Sequence, residues 1–342
     1  MKIVVLAGGL STERDVSLVS GRGVYKALKS KGHKVILLDV YLGYEGDPDS
    51  IFDIDVDWAE KVAPVSEVAP DLDEVKKLRG DGGREFFGPN VIKICQSADI
   101  VFMALHGDCG ENGKIQAAFD LMGIKYTGTD SFSSALAMDK AVAKYLFAAH
   151  GVSTPGSRLL RSVDDEHKPE FPCVVKICSG GSSVGVYVAE NETEYRSALT
   201  DAFRYEPSVM VEDYIKGREF TCCVIDGRPL PIVEIEPKQG FYDYKNKYQA
   251  GSTIETCPAN ISETATAKIQ AEAVKAYNAL GIKTYARMDF IMNEKGEVYC
   301  LEANTLPGMT PTSLIPQEAA AEGMSYADLC EYIIELSLKK WA

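Results

Sequence analysis

Apolar and polar positions follow two rhythms along this chain, one suited to strands and one to helices. Residues 3–7 form a short apolar run closed by Gly8-Gly9. Val16, Val19, Gly23, Val24, Ala27 and Leu28 then recur at helical spacing, and 34–40 is apolar again. Strand, helix, strand in that order is a βαβ unit, which implies a parallel sheet with helices on its faces. Thr12-Glu-Arg-Asp15 has the spacing of a capping box, so Glu13 is expected in the first turn of the helix. That position lies beside the strand's carboxyl end, where open α/β sheets bind ligands. Residues 41–90 are acidic and rich in Pro and Gly, and read as an irregular insertion with a short helix at 71–79. The pattern resumes with a strand at 99–105, a turn at 106–113, a helix at 114–122 and a strand at 124–127. A helix over 134–150 ends at His150-Gly151, with Pro155 beyond.

A second, α+β block follows: a strand at 173–177, the loop 179–185, a strand at 186–188, a helix at 192–202 and a strand at 209–214. A third carries strands near 219–225 and 231–236, a loop at 237–253, a helix at 262–280, a strand hairpin over 287–304 and a closing helix at 326–340. The hairpin is the most informative stretch. Its two apolar strands are joined at Glu294-Lys-Gly296. Strand alternation lets Asp289 share one face with Glu302 and Asn304, and Arg287, two residues before Asp289, can join them. Two carboxylates and an amide oxygen make a hard, all-oxygen site that suits Mg²⁺ bridging nucleotide phosphates and does not suit zinc or copper. Arg287 offers a planar cation to a developing oxyanion. The alternative is an ordinary acidic hairpin whose charges face water.

Other segments carry candidate chemistry. Ser179-Gly-Gly-Ser-Ser-Val-Gly185 can lie over phosphates or be a plain hairpin turn. Lys176 tips the balance, because a lysine among Val174, Val175 and Ile177 needs an anionic partner or a route to water. Lys140 is a second candidate phosphate ligand, though on its own it reads as a surface lysine. Glu212 and Glu219 can accept from a ribose hydroxyl or an adenine amine, or merely cap a polar linker. The polar-aromatic run from Phe241 to Tyr248 favours a lid that orders over ligand. Two nucleotide motifs fail: Gly8-Gly9 lacks the dinucleotide spacing, and Gly113-Lys114 lacks both the preceding glycine and the following hydroxyl of a phosphate-binding loop.

Composition narrows the partners. At 342 residues the chain can hold two or three domains, and 46% hydrophobic with 25% charged residues is ordinary for a globular protein. A net charge of −14 argues against a nucleic-acid backbone or an anionic membrane as partner. No apolar run reaches a membrane span, and the first strand is too short for a signal peptide. Nine cysteines without a Cys-x-x-Cys pair read as reduced, buried thiols in a cytoplasmic protein, and four scattered histidines do not suggest a His-based metal site.

Several of these pieces occur in a recognisable order. They are Gly8-Gly-Leu-Ser-Thr-Glu13, His106-Gly-x-x-Gly-Glu-Asn-Gly113, Met138-Asp-Lys140, Gly181-Ser-Ser-Val-Gly185, Phe241-Tyr-Asp-Tyr-x-x-Lys-Tyr248 and Leu301-Glu-Ala-Asn-Thr-x-Pro-Gly-Met-Thr-x-x-Ser313. Together they closely resemble D-alanine–D-alanine ligases of the ATP-grasp superfamily, over nearly the whole chain except about 41–95. The resemblance implies an N-terminal parallel-sheet (pre-ATP-grasp) domain over 1–128. It implies a two-lobed ATP-grasp fold with lobes over 129–212 and 213–342. The implied reaction uses ATP to join two D-alanines through an acyl phosphate, with two Mg²⁺ (or Mn²⁺) ions, in a cytoplasmic homodimer serving peptidoglycan synthesis. Glu13 would hold the first substrate's ammonium, with His106 nearby. Lys140, Lys176, Lys247, Ser182 and Ser183 would contact ATP phosphates, and Glu212 and Glu219 the nucleoside. Asp289, Glu302 and Asn304 would bind metal, and Arg287 with the Gly308 N–H would form the oxyanion site. Tyr248, Ser313 and Leu314 would surround the second substrate, with Glu13, Ser182 and Tyr248 latching the lid. Asn112, Ala117 and Cys178 depart from the common pattern without removing a catalytic group. A sister ligase adding D-serine, or less readily D-lactate, is the alternative.

Overall fold

The computed structural model describes residues 1–66, 70–80, 83–181, 185–238 and 252–341. The first βαβ unit forms as its pattern predicts: β1 (Lys2–Ala7), α1 (Arg14–Ser30) and β2 (Lys34–Asp39). After a 3₁₀ turn at Ile51–Asp53 come α2 (Leu72–Lys77), α3 (Val91–Ser97) and β3 (Ile100–Met103). β1 pairs in parallel with both β2 and β3, giving the order β2-β1-β3. The strand expected at 124–127 reduces to one parallel bridge, Val101 to Tyr126. The capping box does not form either. Glu13 is itself the N-cap of α1 and makes no side-chain cap, while its N–H donates to Ser11 Oγ at 3.1 Å.

The helices α4 (Asp108–Glu111) and α5 (Lys114–Met122) follow β3. α5 is bounded by Gly113 (φ 82°) and Gly123 (φ 67°), both in the left-handed region that glycine enters without a Cβ penalty. The helix expected over 134–150 is two helices, α6 (Ser131–Met138) and α7 (Lys140–Ala149). Asp139 breaks it. Its backbone is extended, and its carboxylate accepts from the N–H groups of Ala141 and Val142, capping α7 at the expense of continuity.

The strands β4 (Ser157–Leu160), β5 (Cys173–Ile177), β6 (Val186–Ala189) and, after α8 (Glu192–Ala202), β7 (Val209–Asp213) form an antiparallel sheet ordered β4-β7-β5-β6. Then come β8 (Gly217–Ile225), β9 (Arg228–Pro229), β10 (Val233–Pro237), β11 (Thr253–Thr256), α9 (Glu263–Ala279), β12 (Tyr285–Asn293) and β13 (Val298–Asn304). They make a second antiparallel sheet, β11-β10-β8-β12-β13, with β9 on β8. α9 covers one face of it through Ile269, Ala273 and Ala276, each fully buried.

Two helices close the chain, α10 (Leu314–Ala321), which the sequence pattern did not reveal, and α11 (Tyr326–Lys339). α11 packs on α1 at the other end of the chain, so Leu329, Ile333 and Ile334 share a core with Ile3, Val24 and Leu28. The C-terminal helix thereby ties the parallel sheet to the strands β8 and β12, whose Cys223, Ile225 and Tyr285 join the same core.

Candidate active site

The β12–β13 register sets Arg287 opposite Asn304 and Asp289 opposite Glu302, with a bulge just after Asp289. On the other side Thr221 of β8 pairs with Asp289. The expected face therefore exists, and its charges are engaged rather than solvated. Asp289 accepts from Arg287 Nε and Nη2 at 2.8 Å each, from Asn304 Nδ2 at 3.0 Å and from Thr221 Oγ1 at 2.8 Å.

Glu302 faces Lys140, whose Nζ lies 3.3 Å from Oε2 and donates to the Gly180 carbonyl at 2.6 Å. Lys140 is buried, not a surface lysine, because Asp139 turns the chain and aims α7's first residue at the glycine loop. Burial alone would lower its pKa, but Glu302 outweighs that and holds it above the ordinary lysine value.

Between the two antiparallel sheets lies a cleft of about 620 Å³. Val174, Ile177 and Val186 form one wall and Phe220, Ile235 and Phe290 the other, and Lys140, Lys176, Glu212 and Glu219 are among the charged residues that line it. Apolar walls with charged groups around them suit a flat ring flanked by anionic groups. Lys176 finds the anionic partner its apolar run demanded: its Nζ is 2.8 Å from Glu212 Oε2, while Lys144 pairs with Oε1. All three side chains are buried. Burial would raise the Glu212 pKa, but the two lysines override it and hold the carboxyl below its usual range.

A second cavity, of about 230 Å³, opens on the N-terminal side of the hairpin. Glu13, His106, Glu111, Arg287, Gly308 and Ser313 bring its polar groups together, and Leu314 joins the lining. Glu13 Oε2 is wedged between two glycines: a Cβ on Gly107 or on Gly181 would come within 2.8 Å of it. His106 is buried, with Nδ1 3.0 Å from the Leu306 carbonyl and Nε2 2.8 Å from Ser20 Oγ. Nδ1 therefore donates and Nε2 accepts, the neutral tautomer, in keeping with a pKa that burial lowers. Ser313 Oγ accepts from the Thr310 N–H at 3.0 Å and shares a bond with its hydroxyl at 2.7 Å, turning the chain after Gly308 into α10.

Glu302 lines both the cavity and the cleft, so the two spaces meet at the hairpin. A carboxylate substrate in one can there approach a phosphate in the other. Among the described residues no three His, Cys, Asp or Glu side chains cluster to hold a metal by themselves. The donor set is two carboxylates and an amide oxygen, which fits Mg²⁺ only where phosphate oxygens and water complete its shell, as in nucleotide sites. Ser182, Ser183, Lys247, Tyr248 and most of the expected lid lie outside the described residues.

Family models described as D-ala D-ala ligase N-terminus and D-ala D-ala ligase C-terminus match residues 2–129 and 141–335. The chain belongs to the D-alanine–D-alanine ligase family. A D-alanine–D-alanine ligase of Lacticaseibacillus casei is 43% identical over all of this chain and 97% of its own length. A crystal structure of the ligase from Bacillus anthracis complexed with ATP superposes with a TM-score of 0.76 at 29% identity, covering 99% of this chain and 98% of that one. A D-Ala:D-Ser ligase from Enterococcus faecalis superposes with a TM-score of 0.75 at 29% identity, covering 98% and 99%. The fold is accordingly that of the family, a parallel-sheet domain followed by a two-lobed ATP-grasp fold.

Three residues of the site escaped the sequence reading. Lys144 carried no signal in the sequence, yet it shares Glu212 with Lys176. Glu111 was noted only as part of a motif. Its two oxygens accept from the N–H groups of Gly107 (2.8 Å) and Leu306 (3.4 Å), and burial beside Glu13 pushes its pKa up to about 8. Glu206 accepts from the Cys178 and Ser179 N–H groups at 2.9 and 3.0 Å, bracing the start of the glycine loop. The only signal for these was proximity in space.

Proposed function

We propose that the protein joins two molecules of D-alanine to D-alanyl-D-alanine, cleaving ATP to ADP and phosphate, for peptidoglycan synthesis. The observation that carries this reading is the meeting of an amino-acid-sized cavity and a nucleotide-sized cleft at Glu302. Glu13 takes the ammonium of the first D-alanine, with neutral His106 beside it, and leaves the substrate carboxylate facing the hairpin. A carboxylate oxygen attacks the γ-phosphorus, ADP leaves, and an acyl phosphate forms. The amine of the second D-alanine, having lost its proton, attacks the acyl carbon. The tetrahedral intermediate places its oxyanion at Arg287 and the Gly308 N–H, and then expels phosphate.

Lys140, Lys176 and Lys247, with Ser182 and Ser183, balance the ATP phosphates; Glu212 and Glu219 hold the nucleoside. Asp289, Glu302 and Asn304 would hold two Mg²⁺ ions (or Mn²⁺), which neutralise charge on the transferring phosphoryl group. Ser313, Leu314 and Tyr248 enclose the second substrate. Glu13, Ser182 and Tyr248 latch a lid over 237–253. The domains of this reading are 1–128, 129–212 and 213–342, and the separation of the strands into three sheets supports it. The exposed Leu121 and Phe132 support a homodimer by offering apolar surface, and dependence on ATP together with free, buried cysteines supports a cytoplasmic setting.

The test is ADP release measured with D-alanine alone and with D-serine or D-lactate as competing acceptor. D-Alanine alone is expected to support turnover. No ADP with D-alanine, or a higher kcat/KM with D-serine, would overturn the reading.

A further inference from the structure

The insertion at 41–95 reaches the substrate cavity. Its middle runs back along α1. Ala59 is buried in the α1 core, Arg22 Nη1 donates to the Val62 carbonyl at 3.0 Å, and the Tyr25 hydroxyl reaches the Val56 carbonyl at 3.4 Å. This anchoring brings Val65 to the wall of the cavity that Val16 and Val19 of α1 also line. Val16 follows Glu13 by three residues, so the two are neighbours on one helix face. An amino acid held by its ammonium at Glu13 and by its carboxylate at Arg287 and Gly308 has its side chain left to meet a surface. On the α1 side that surface is Val16, Val19 and Val65.

We propose that Val65 is the size-limiting contact for the side chain of the first amino acid, so that the insertion determines donor specificity. The inference rests on the cavity binding the first D-alanine as assigned above. Two of the wall's valines belong to α1, whose other residues build the domain core. Val65 comes from a peripheral segment and is half-buried, so its size can change without emptying a core position. A methyl side chain fills the space such a wall leaves, and an ethyl group must displace it.

The experiment supplies D-alanine and D-2-aminobutyrate together with saturating ATP, and reads the order of residues in the product dipeptides by fragment-ion mass spectrometry. Val65→Ala is expected to raise D-2-aminobutyryl-D-alanine roughly tenfold relative to D-alanyl-D-alanine, the scale of one methylene in an apolar pocket. D-Alanyl-D-2-aminobutyrate, which varies only the second position, should not change. Val65→Leu, which retains apolar packing, is expected to lower kcat/KM for the first D-alanine and to exclude D-2-aminobutyrate from that position. If the wild type forms D-alanyl-D-alanine and both variants keep its product proportions, Val65 has no such role. A parallel rise of the two mixed dipeptides would overturn the proposal as well. A wild type that releases no ADP with D-alanine overturns both this inference and the reading of the site beneath it.

Discussion

Arg287 grips Asp289 through two parallel bonds of 2.8 Å, Nε to Oδ1 and Nη2 to Oδ2. The guanidinium thus sits on both oxygens that a metal ion would use. Removing it while keeping an unbranched apolar side chain should free Asp289 for a cation and remove the oxyanion donor together. Arg287→Met is expected to bind Mn²⁺ several-fold more tightly without nucleotide and to lose more than about a hundredfold in turnover. Titration by electron paramagnetic resonance beside an ADP-release assay reads the two effects. Metal affinity that falls with turnover would show that Arg287 supports the metal rather than competing with it.

Glu302→Gln should keep the fold and lose the chemistry. The substitution is isosteric, and Lys140 retains the Gly180 carbonyl. Unfolding free energy should fall by no more than a few kcal/mol, because buried Lys140 loses its carboxylate partner, while turnover at saturating Mg²⁺ drops by about a hundredfold or more, since charge stabilisation in the transition state is lost as well. Turnover within about threefold of wild type would remove Glu302 from the metal site.

Glu212→Gln leaves Lys144 and Lys176 buried without a carboxylate. The variant should be less stable than wild type by about 3–5 kcal/mol near pH 7, the cost of an uncompensated buried charge. Burial already lowers the pKa of Lys144 in the wild type, and loss of the carboxylate beside it would lower it further. Below the unfolded value near 10.4 the unfolded chain binds more protons, so stability rises with pH and the deficit should shrink between about pH 7 and pH 10. Urea unfolding across that range checks it; a constant deficit would contradict it.

Glu111 gives the opposite slope. Its folded pKa of about 8 lies above the unfolded carboxyl value near 4.3, so between the two the folded state binds more protons. Its contribution is complete below the lower value and is lost as pH rises towards 8. Glu111→Gln, a permanent mimic of the protonated acid, should therefore gain stability relative to wild type from pH 5 to pH 8. A difference independent of pH would mean that Glu111 titrates normally.

Asp139→Ala removes the cap that starts α7 and should cost about 1 kcal/mol in stability. Because the same cap aims Lys140 at the glycine loop, KM for ATP should rise severalfold with little change in KM for D-alanine. Equal rises in both would point to a general loosening instead.

The sequence by itself determined the elements whose punctuation is local. α5 is legible because Gly113 and Gly123 bound it, and α8 because Asn191 caps it through the Glu194 N–H. The chemical face of the hairpin is legible too, since alternation along a strand depends only on residue parity. Asp139 shows where this reading fails. The helical period runs through it, and only the competition between a side-chain cap and the next turn breaks the helix. The same holds for the strand expected at 124–127, whose apolar residues pack but find one bridge instead of a ladder. What the tertiary structure alone decided is which charges meet. Lys144 and Glu212 are 68 residues apart, Glu111 and Leu306 are 195 apart, and Val65 lines one cavity with Val16 across an insertion without periodicity. Burial and Coulomb energy act through space, and spacing along the chain carries no trace of a partner brought there by the packing of separate sheets.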